Sequence, residues 1–560
     1  MSLIKTTLTQ CSDYFHRHTD WSRFMTWYNE QVEKATSVAS TTAPTSKTKR
    51  LALGVAISLT ILYSVYRHVS RPPRQLRHIP YINFFTFSRR FIISKWTTAK
   101  LAREFELPLL KDGNPMFVRS DKFGWTVHVC TPDAAKKVFL KSDLFPKANQ
   151  SSANASIIYR LVGTSNIVFE NGDEWRKHRK LVNPAFHRSM PIQVFGQVAQ
   201  QVFTHLDKTQ PNDFTLDFGQ LTERITIDVI GRAGFGFDFN SVLDDASPWK
   251  QVYDTVINGH RDPLYMMLPS LEKYFLWMLP KRQRIHAITT KFLTMLQQII
   301  DNKRLTLREK YATADDIDDS EKDLLTLMLE SELRGEGVLT DRELLNDIGI
   351  FFIAGHDTTS TALTAAVYYL AKHPDIQEKA RQEVIGILCP DGMEPPIDIL
   401  PTADQVKKFN YLNQVIKETL RINGPVVSLV SPRLTTNDVT LSNVLIPKDT
   451  LVNVNIYDLH HNPNVWMKPD VFDPERFAPG GEADQQAGGG MAWIPFANGQ
   501  RMCVGNMFSI NEQRVLLACL LRKYQWTLPT DSIHKEELIT TNSNLMIPQD
   551  VRIRFYKKRY

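Results

Sequence analysis

The stretch Phe496-Ala497-Asn498-Gly499-Gln500-Arg501-Met502-Cys503-Val504-Gly505 constrains this chain more than any other. One cysteine is framed by two glycines, with an arginine two residues before it and an aromatic ring seven before it. A soft thiolate is a good axial ligand for porphyrin iron and donates electron density that favours O–O cleavage. The neighbours suit that job. Gly499 and Gly505 let backbone approach a flat group closely and take turn geometries that other residues resist. Arg501 offers a fork of donors to a carboxylate, and Phe496 a flat apolar face. A cysteine in isolation is most often a small buried core residue. The frame around this one argues for a ligand.

The rest of the composition narrows the setting. Of 560 residues, 42% are apolar and 23% charged, which is globular usage. Cys11, Cys130, Cys389, Cys503 and Cys519 show no paired spacing, so neither a disulfide framework nor a zinc site is indicated. So few cysteines fit a reducing compartment. The net charge of +7 comes without a long Lys/Arg run. Nucleic-acid binding is unsupported, whereas a basic patch toward an anionic membrane or an acidic partner stays open.

Four regions follow along the chain. Residues 1–50 form an extension in which Trp21, Phe24, Met25, Tyr28 and Val32 recur at helical spacing behind Asp20 as cap. Such a helix can lie on a membrane or pack on the protein itself. Ala35 to Lys49 is Ser/Thr-rich and reads as a flexible linker. Residues 51–66 carry no charge. At about 24 Å as a helix they are at the short edge of a membrane span, with Lys47, Lys49, Arg50 and Arg67 outside and Tyr63 and Tyr66 near one end. A single membrane anchor is expected, with a buried core helix as the alternative. Residues 67–80 hold Arg71-Pro72-Pro73-Arg74 and Pro80, a stiff hinge. Residues 81–560 are then one catalytic domain. It is expected to be mainly helical, with a hairpin around Asp121-Lys122-Phe123-Gly124, short strands between Leu434 and Asn455, and an irregular segment from Asp473 to Met491.

The stretch ending at Gly505 resembles the haem-binding loop of the cytochrome P450 family, Phe-x-x-Gly-x-Arg-x-Cys-x-Gly, at all five fixed positions. The resemblance implies a mainly α fold with small β-sheets, and haem b held between two long helices with Cys503 as axial ligand. Ala354-Gly355-His356-Asp357-Thr358-Thr359-Ser360 resembles the family's oxygen-side element. On that match Thr358 hydrogen-bonds the oxygen molecule and Asp357 relays protons. Physically, a mid-helix glycine costs about 1 kcal/mol against alanine. Hydroxyls that bond back one turn can bend a helix. Together these residues are expected to open a groove. Relatives with glutamate at the position of Ala354 can form an ester to haem, so no such link is expected here.

Glu418-Thr419-Leu420-Arg421 with Pro474-Glu475-Arg476-Phe477 resembles the family's structural pair, which implies a buried Glu418–Arg421–Arg476 network. Trp175 and Arg179, one turn apart, resemble the family's Trp-x-x-x-Arg. With Arg433 and Arg501 they are the implied propionate binders. Arg176, Lys177, His178 and Lys180 make a basic strip for an acidic flavoprotein reductase, or equally a plain solvated face.

The implied function is a haem-thiolate monooxygenase that puts one oxygen atom of O2 into a lipophilic substrate. Its electrons come from NADPH through NADPH-cytochrome P450 reductase, with cytochrome b5 as a second donor. Steroids or sterols, fatty acids and xenobiotics are all open; a fungal style of sequence favours steroid hydroxylation weakly. The segment from Asn154 to Val168, the helix around Phe351, and Val426 to Val430 are expected to line the cavity. An endoplasmic reticulum membrane location with a cytosolic catalytic domain is implied. A haem-thiolate isomerase or dehydratase, or a haem protein that only binds ligands, are the other readings.

Overall fold

The computed structural model describes residues 55, 63, 66, 67 and 69–558, less 122, 149–154, 189, 245–246, 314–321, 336, 393–397, 487 and 542–544. The expected amphipathic helix, the Ser/Thr linker and most of residues 51–66 lie outside the described residues. Among the described residues no helix is long and apolar enough to cross a membrane.

Among the described residues helices dominate, and nine short strands fall into three sheets. The strands are β1 (Met116–Asp121), β2 (Gly124–Val129), β3 (Asp213–Asp217), β4 (Arg433–Leu434), β5 (Val439–Leu441), β6 (Val444–Ile446), β7 (Leu451–Val454), β8 (Tyr524–Thr527) and β9 (Arg552–Lys557). The expected hairpin is present: β1 and β2 pair antiparallel from Met116↔Val129 to Asp121↔Gly124. Its alternation sorts the core, because successive side chains of a strand point to opposite faces. Met116 and Val118 join one apolar cluster, and Phe117 between them joins another. β7 adds parallel to β2, and β4 closes this sheet in the order β1-β2-β7-β4, which places Arg433 on its edge.

The central helix runs Asp341–Lys372. Thr340 caps it, accepting from the Glu343 N–H while the Glu343 carboxylate accepts from Thr340 N–H, a capping box. Pro374 then lacks the N–H to continue it and disfavours helix at His373. From Thr359 to Ala371 every residue is buried, as expected of a helix surrounded by others. Gly355 lies where a Cβ would come within 2.9 Å of Ile230 Cδ1, so its small size serves close packing.

The expected network is buried. Arg421 Nε and Nη2 donate to Glu418 Oε2 and Oε1 at 2.7 and 2.8 Å, while Nη1 donates to the His460 carbonyl at 2.8 Å. Arg476 Nε stands 3.4 Å from Glu418 Oε1. Burial pushes the Glu418 carboxyl upward, against Arg421 and Arg476. From His460 the connection reaches the cysteine loop, since the Ile494 N–H donates to His460 Nε2 at 3.0 Å.

Three buried imidazoles make stability pH-dependent. Burial pushes His128 and His460 well below the ordinary range, and His461 down to about 3. The unfolded chain takes protons below about pH 6.5 that the folded one refuses. Stability is therefore full above that value and is lost as pH falls, by up to ~1.4 kcal/mol per pH unit per imidazole. Asp458, pushed up to about 7 by burial, works the opposite way, and so do Glu512, Glu418, Asp347 and Asp228, whose carboxyls burial also raises. Removing one ring isolates its share: His461→Gln is expected to have a urea midpoint that falls less, or rises more, from pH 7 to pH 5 than that of the unaltered protein, and an unchanged pH dependence contradicts a neutral, buried His461.

Candidate active site

Cys503 sits three residues before the helix Asn506–Lys523. The loop before it is wound tightly: the Cys503 N–H donates to the Phe496 carbonyl at 3.0 Å, and the Met502 N–H to the Gly499 carbonyl at 3.1 Å. Gly499 has φ +70, and a Cβ there would stand 2.8 Å from the Phe139 carbonyl oxygen, so glycine is required. Gly505 differs from the expectation of a strained turn. Its φ is −84, an ordinary value, and a Cβ would make only normal contact with Phe186 at 3.6 Å.

Cys503 keeps accessible surface although protein surrounds it. Burial pushes its thiol up, while the Gly505 N–H and the charge of Arg179 pull toward thiolate. A helix N-terminus adds positive potential on the same side.

Beside the loop the structure gathers cations. The Arg501 guanidinium lies over the Trp175 ring at 3.9 Å. Among the described residues its Nη1 is buried with no hydrogen-bond partner, as is Arg433 Nε. Burial, then Arg433 and Arg179, bring Arg501 down to about 9; burial brings Arg433 down to about 10. Lys147 is pushed well below its usual range by burial and then by the same three arginines. So many cations, with buried N–H groups unspent, make a site for a group carrying more than one carboxylate. Trp175, Arg179, Arg433, Arg501 and Cys503 are therefore together.

Lys147 and Asn171 were not legible in the sequence. Asn171 Oδ1 accepts from Lys147 N–H at 3.0 Å and from Arg501 Nη2 at 3.5 Å, tying the cluster together. Neither belongs to a recognisable motif.

On the central helix, Ala354 is exposed and Ile350, Ile353, Gly355 and Thr358 are half-buried, whereas Phe351, Phe352, His356 and Asp357 are buried. An accessible strip mid-way along a buried helix is where a ligand is received. Phe351 is not on it: the ring packs edge-on against Phe186, 5.5 Å between centroids. The Thr358 hydroxyl donates back to the Ala354 carbonyl at 2.6 Å, as the sequence led one to expect. The Asp357 side chain turns away from this strip. It lies 2.9 Å from Arg261 Nη2 and 2.9 Å from His356 Nδ1. Burial opposes the charge, but Arg261 and His356 hold the carboxyl far below the usual range. Arg261, Tyr253, Glu223, Lys250 and Asp254 share with Asp357 a polar cavity of about 310 Å³.

The expected basic strip is corrected. Lys177 Nζ turns inward to Glu343 at 2.9 Å, and His178 is fully buried with Nδ1 2.6 Å from Asp347 Oδ2. Both clamp the helix Gly172–Arg188, which carries Trp175 and Arg179, to the central helix. Arg176 and Lys180 stay exposed.

The family pattern described as Cytochrome P450 matches residues 114–554. The chain belongs to the cytochrome P450 family. It is 29% identical over 424 residues to cytochrome P450 4F8 of Homo sapiens, covering 71% of this chain and 75% of that protein. It is 27% identical over 444 residues to echinocystic acid 23-monooxygenase of Saponaria officinalis (75% and 78%), and 28% over 412 to taurochenodeoxycholic 6 alpha-hydroxylase of Sus scrofa (71% and 76%). The crystal structure of cytochrome P450DA heme domain shares the fold, with TM-score 0.69 at 22% identity, over 86% of this chain and 98% of that one. These relatives do not bear out the fungal style expected from the sequence. As a P450 the protein is a haem-thiolate monooxygenase with haem b as cofactor and NADPH as indirect reductant. The unspent donors of Arg433 and Arg501 fit its two propionates, and the accessible sulfur of Cys503 fits its iron.

Proposed function

We propose that residues 81–560 form the catalytic unit of a membrane-anchored P450 that hydroxylates a lipophilic substrate. Cys503 would ligate the haem iron; Trp175, Arg179, Arg433 and Arg501 would hold the propionates, and Phe496, Gly499 and Gly505 shape the loop. The observation that carries this reading is the cation cluster beside an accessible cysteine at a helix N-terminus. Haem b supplies the oxygen chemistry; the chain supplies ligand, orientation and proton access.

The Thr358 hydroxyl lies on the accessible strip, held in place by the bond it donates to the Ala354 carbonyl. Asp357, held ionised by Arg261, stands behind it as the group past which protons are relayed. Their cavity, with Glu223 and Asp254, supports a route by which protons enter away from the substrate. Thr358→Ala is expected to keep consuming NADPH while releasing peroxide instead of product. Measuring NADPH, peroxide and product together decides it, and full coupling in that variant contradicts the role of Thr358.

Substrate entry is supported by Val427, Ser428, Leu429 and Val430, which line a cavity with Phe87, Phe91 and Met266. A triterpenoid acid and a bile acid stand in the names of two relatives, and both are rigid apolar skeletons. We favour a steroid-like or fatty-acid substrate, with steroid hydroxylation as the first activity to assay. NADPH-cytochrome P450 reductase docks on the face carrying Arg176 and Lys180, and cytochrome b5 uses the same face. The enzyme sits in the endoplasmic reticulum membrane with this face in the cytosol. A substrate screen in membranes with the reductase present, read by binding spectra and products, tests the reading; turnover that needs no reductant would favour an isomerase instead.

A further inference from the structure

Gln220 and Glu223 each line two cavities: the one that holds Asp357, and another of about 440 Å³. The second is bounded by the start of the helix Phe218–Val229, by Ser360, Thr361 and Thr364 of the central helix, and by residues 547–550. Its charged lining is Asp217, Glu223 and Asp550, and among the described residues no Lys, Arg or His lines it. These carboxylates are poorly neutralised. Neither Asp217 nor Asp550 has an ion-pair partner among the described residues. Glu223 Oε2 lies 3.4 Å from Lys250 Nζ, which stands closer to Asp254, at 2.7 Å. Asp217 is spent in part on the helix start, where its Oδ1 accepts from the Gln220 N–H at 3.3 Å. His534 feels the charges of Asp217 and Asp550, but burial holds its ring below the usual imidazole range, so it adds no cation at neutral pH. A concave wall of one sign concentrates counter-ions.

An independent feature points to a ligand. Ser360 and Thr364 turn their hydroxyls back to the helix, donating to the carbonyls of Asp357 and Ser360 at 3.1 and 2.8 Å. Thr361 between them does not: it is 2% exposed, and among the described residues its buried Oγ1 has no hydrogen-bond partner. A buried hydroxyl left unpaired costs free energy, so the wall of this cavity carries a polar atom in want of a partner. The fitting occupant is organic rather than a bare metal. A divalent cation needs about six oxygens at about 2.0–2.6 Å, and among the described residues no three acids, imidazoles or thiols converge to hold one. Ile547 and Pro548 add apolar wall.

We propose that this cavity binds a small linear polyammonium ion. Its charged nitrogens pair with Glu223 and Asp550, one N–H is donated to the Thr361 hydroxyl, and its methylenes lie against Ile547 and Pro548. Asp217 adds its field from the helix start. Separated carboxylates match a chain whose charges are spaced by methylenes, whereas a single compact charge meets only one of them. The site goes beyond hydroxylation and rests on no step of it. Glu223 nevertheless stands in the walls of both cavities, so the occupant and the proton side share one carboxylate.

The test uses the full-length, haem-loaded protein, with spermidine and magnesium chloride as probes at equal ionic strength and affinity read by calorimetry. Spermidine is expected to bind saturably, and magnesium not to displace it. The double variant E223Q/D550N leaves the Asp217 cap in place and is expected to weaken spermidine about tenfold, the scale of a pair of partly exposed ionic contacts. That loss is expected to shrink in high salt. T361V keeps every charge and is expected to weaken spermidine about threefold, through the lost hydroxyl alone. Unchanged affinity in either variant, or no saturable spermidine binding to the unaltered protein, overturns the site. Displacement of spermidine by magnesium at equal ionic strength overturns the organic class. The reduced carbon monoxide spectrum of the same samples reports thiolate ligation and a fold intact around haem, so a failed site is distinguishable from a failed haem assignment.

Discussion

Cys503→Ser is expected to abolish the red-shifted absorption band of the reduced carbon monoxide complex and to bring hydroxylation to background. The effect is large because ligation by sulfur is not graded. A serine hydroxyl does not ionise near neutrality and does not donate electron density as a thiolate does. The loop is held by backbone bonds and by Gly499, none of which uses the sulfur, so the substitution is expected to leave the fold standing. Haem content, circular dichroism and the spectrum should be measured on one preparation. Retained fold and haem with a lost band support the ligand; an unchanged band refutes it. The cation cluster allows an internal control. Arg501→Ala removes the guanidinium stacked on Trp175 and one unspent donor. It should lower haem retention without moving the band in the molecules that keep haem, because it touches the carboxylate end and not the iron.

What was legible in the sequence was the chemistry that is local in the chain. The cysteine loop is ten consecutive residues, and Trp175 and Arg179 are one helical turn apart, as are Glu418 and Arg421. Spacing alone places such groups on one face. The alternating run before Cys130 gave the hairpin, because period two has one structural meaning when turn residues interrupt it. The fold class followed from the resemblance rather than from periodicity, since helix Asp341–Lys372 is apolar nearly all round and has no polar face to read.

The rest required the third dimension. Lys177 and His178 look like two more charges in a basic run, yet Glu343 and Asp347, far along the chain, draw them inward. Nothing at Arg261 announces that it neutralises Asp357. Gly355 reads in the sequence as part of a groove, and its small size is also the clearance for Ile230. The helix around Phe351 reads as a cavity wall, but the Phe351 ring itself belongs to the core. In each case the deciding partner sits on another element, and its distance in sequence hides it.

The buried network carries the second large prediction. Arg421→Met is expected to cost about 3–5 kcal/mol, the loss found when one partner of a buried pair is removed. Three features put it at the upper end. Glu418 and Arg421 are fully buried, so no water replaces the missing charge. Burial already pushes the Glu418 carboxyl upward, and Arg421 is the largest influence resisting it. Arg421 also satisfies the carbonyls of His460 and Pro469, each at 2.8 Å, which become unpartnered. A loss of this size is a large share of the 5–15 kcal/mol that stabilises a folded protein. Urea unfolding of the haem-loaded variant should show a strongly lowered midpoint. Haem should dissociate with it, because His460 passes the strain to Ile494 and so to the cysteine loop. Glu418→Gln separates charge from shape. It keeps an acceptor for Arg421 but removes the anion, so it should fall between Arg421→Met and the unaltered protein. If Arg421→Met matched the unaltered protein in both midpoint and haem retention, the network would be a bystander, and the rigidity of the loop would have to come from Gly499 and its backbone bonds alone.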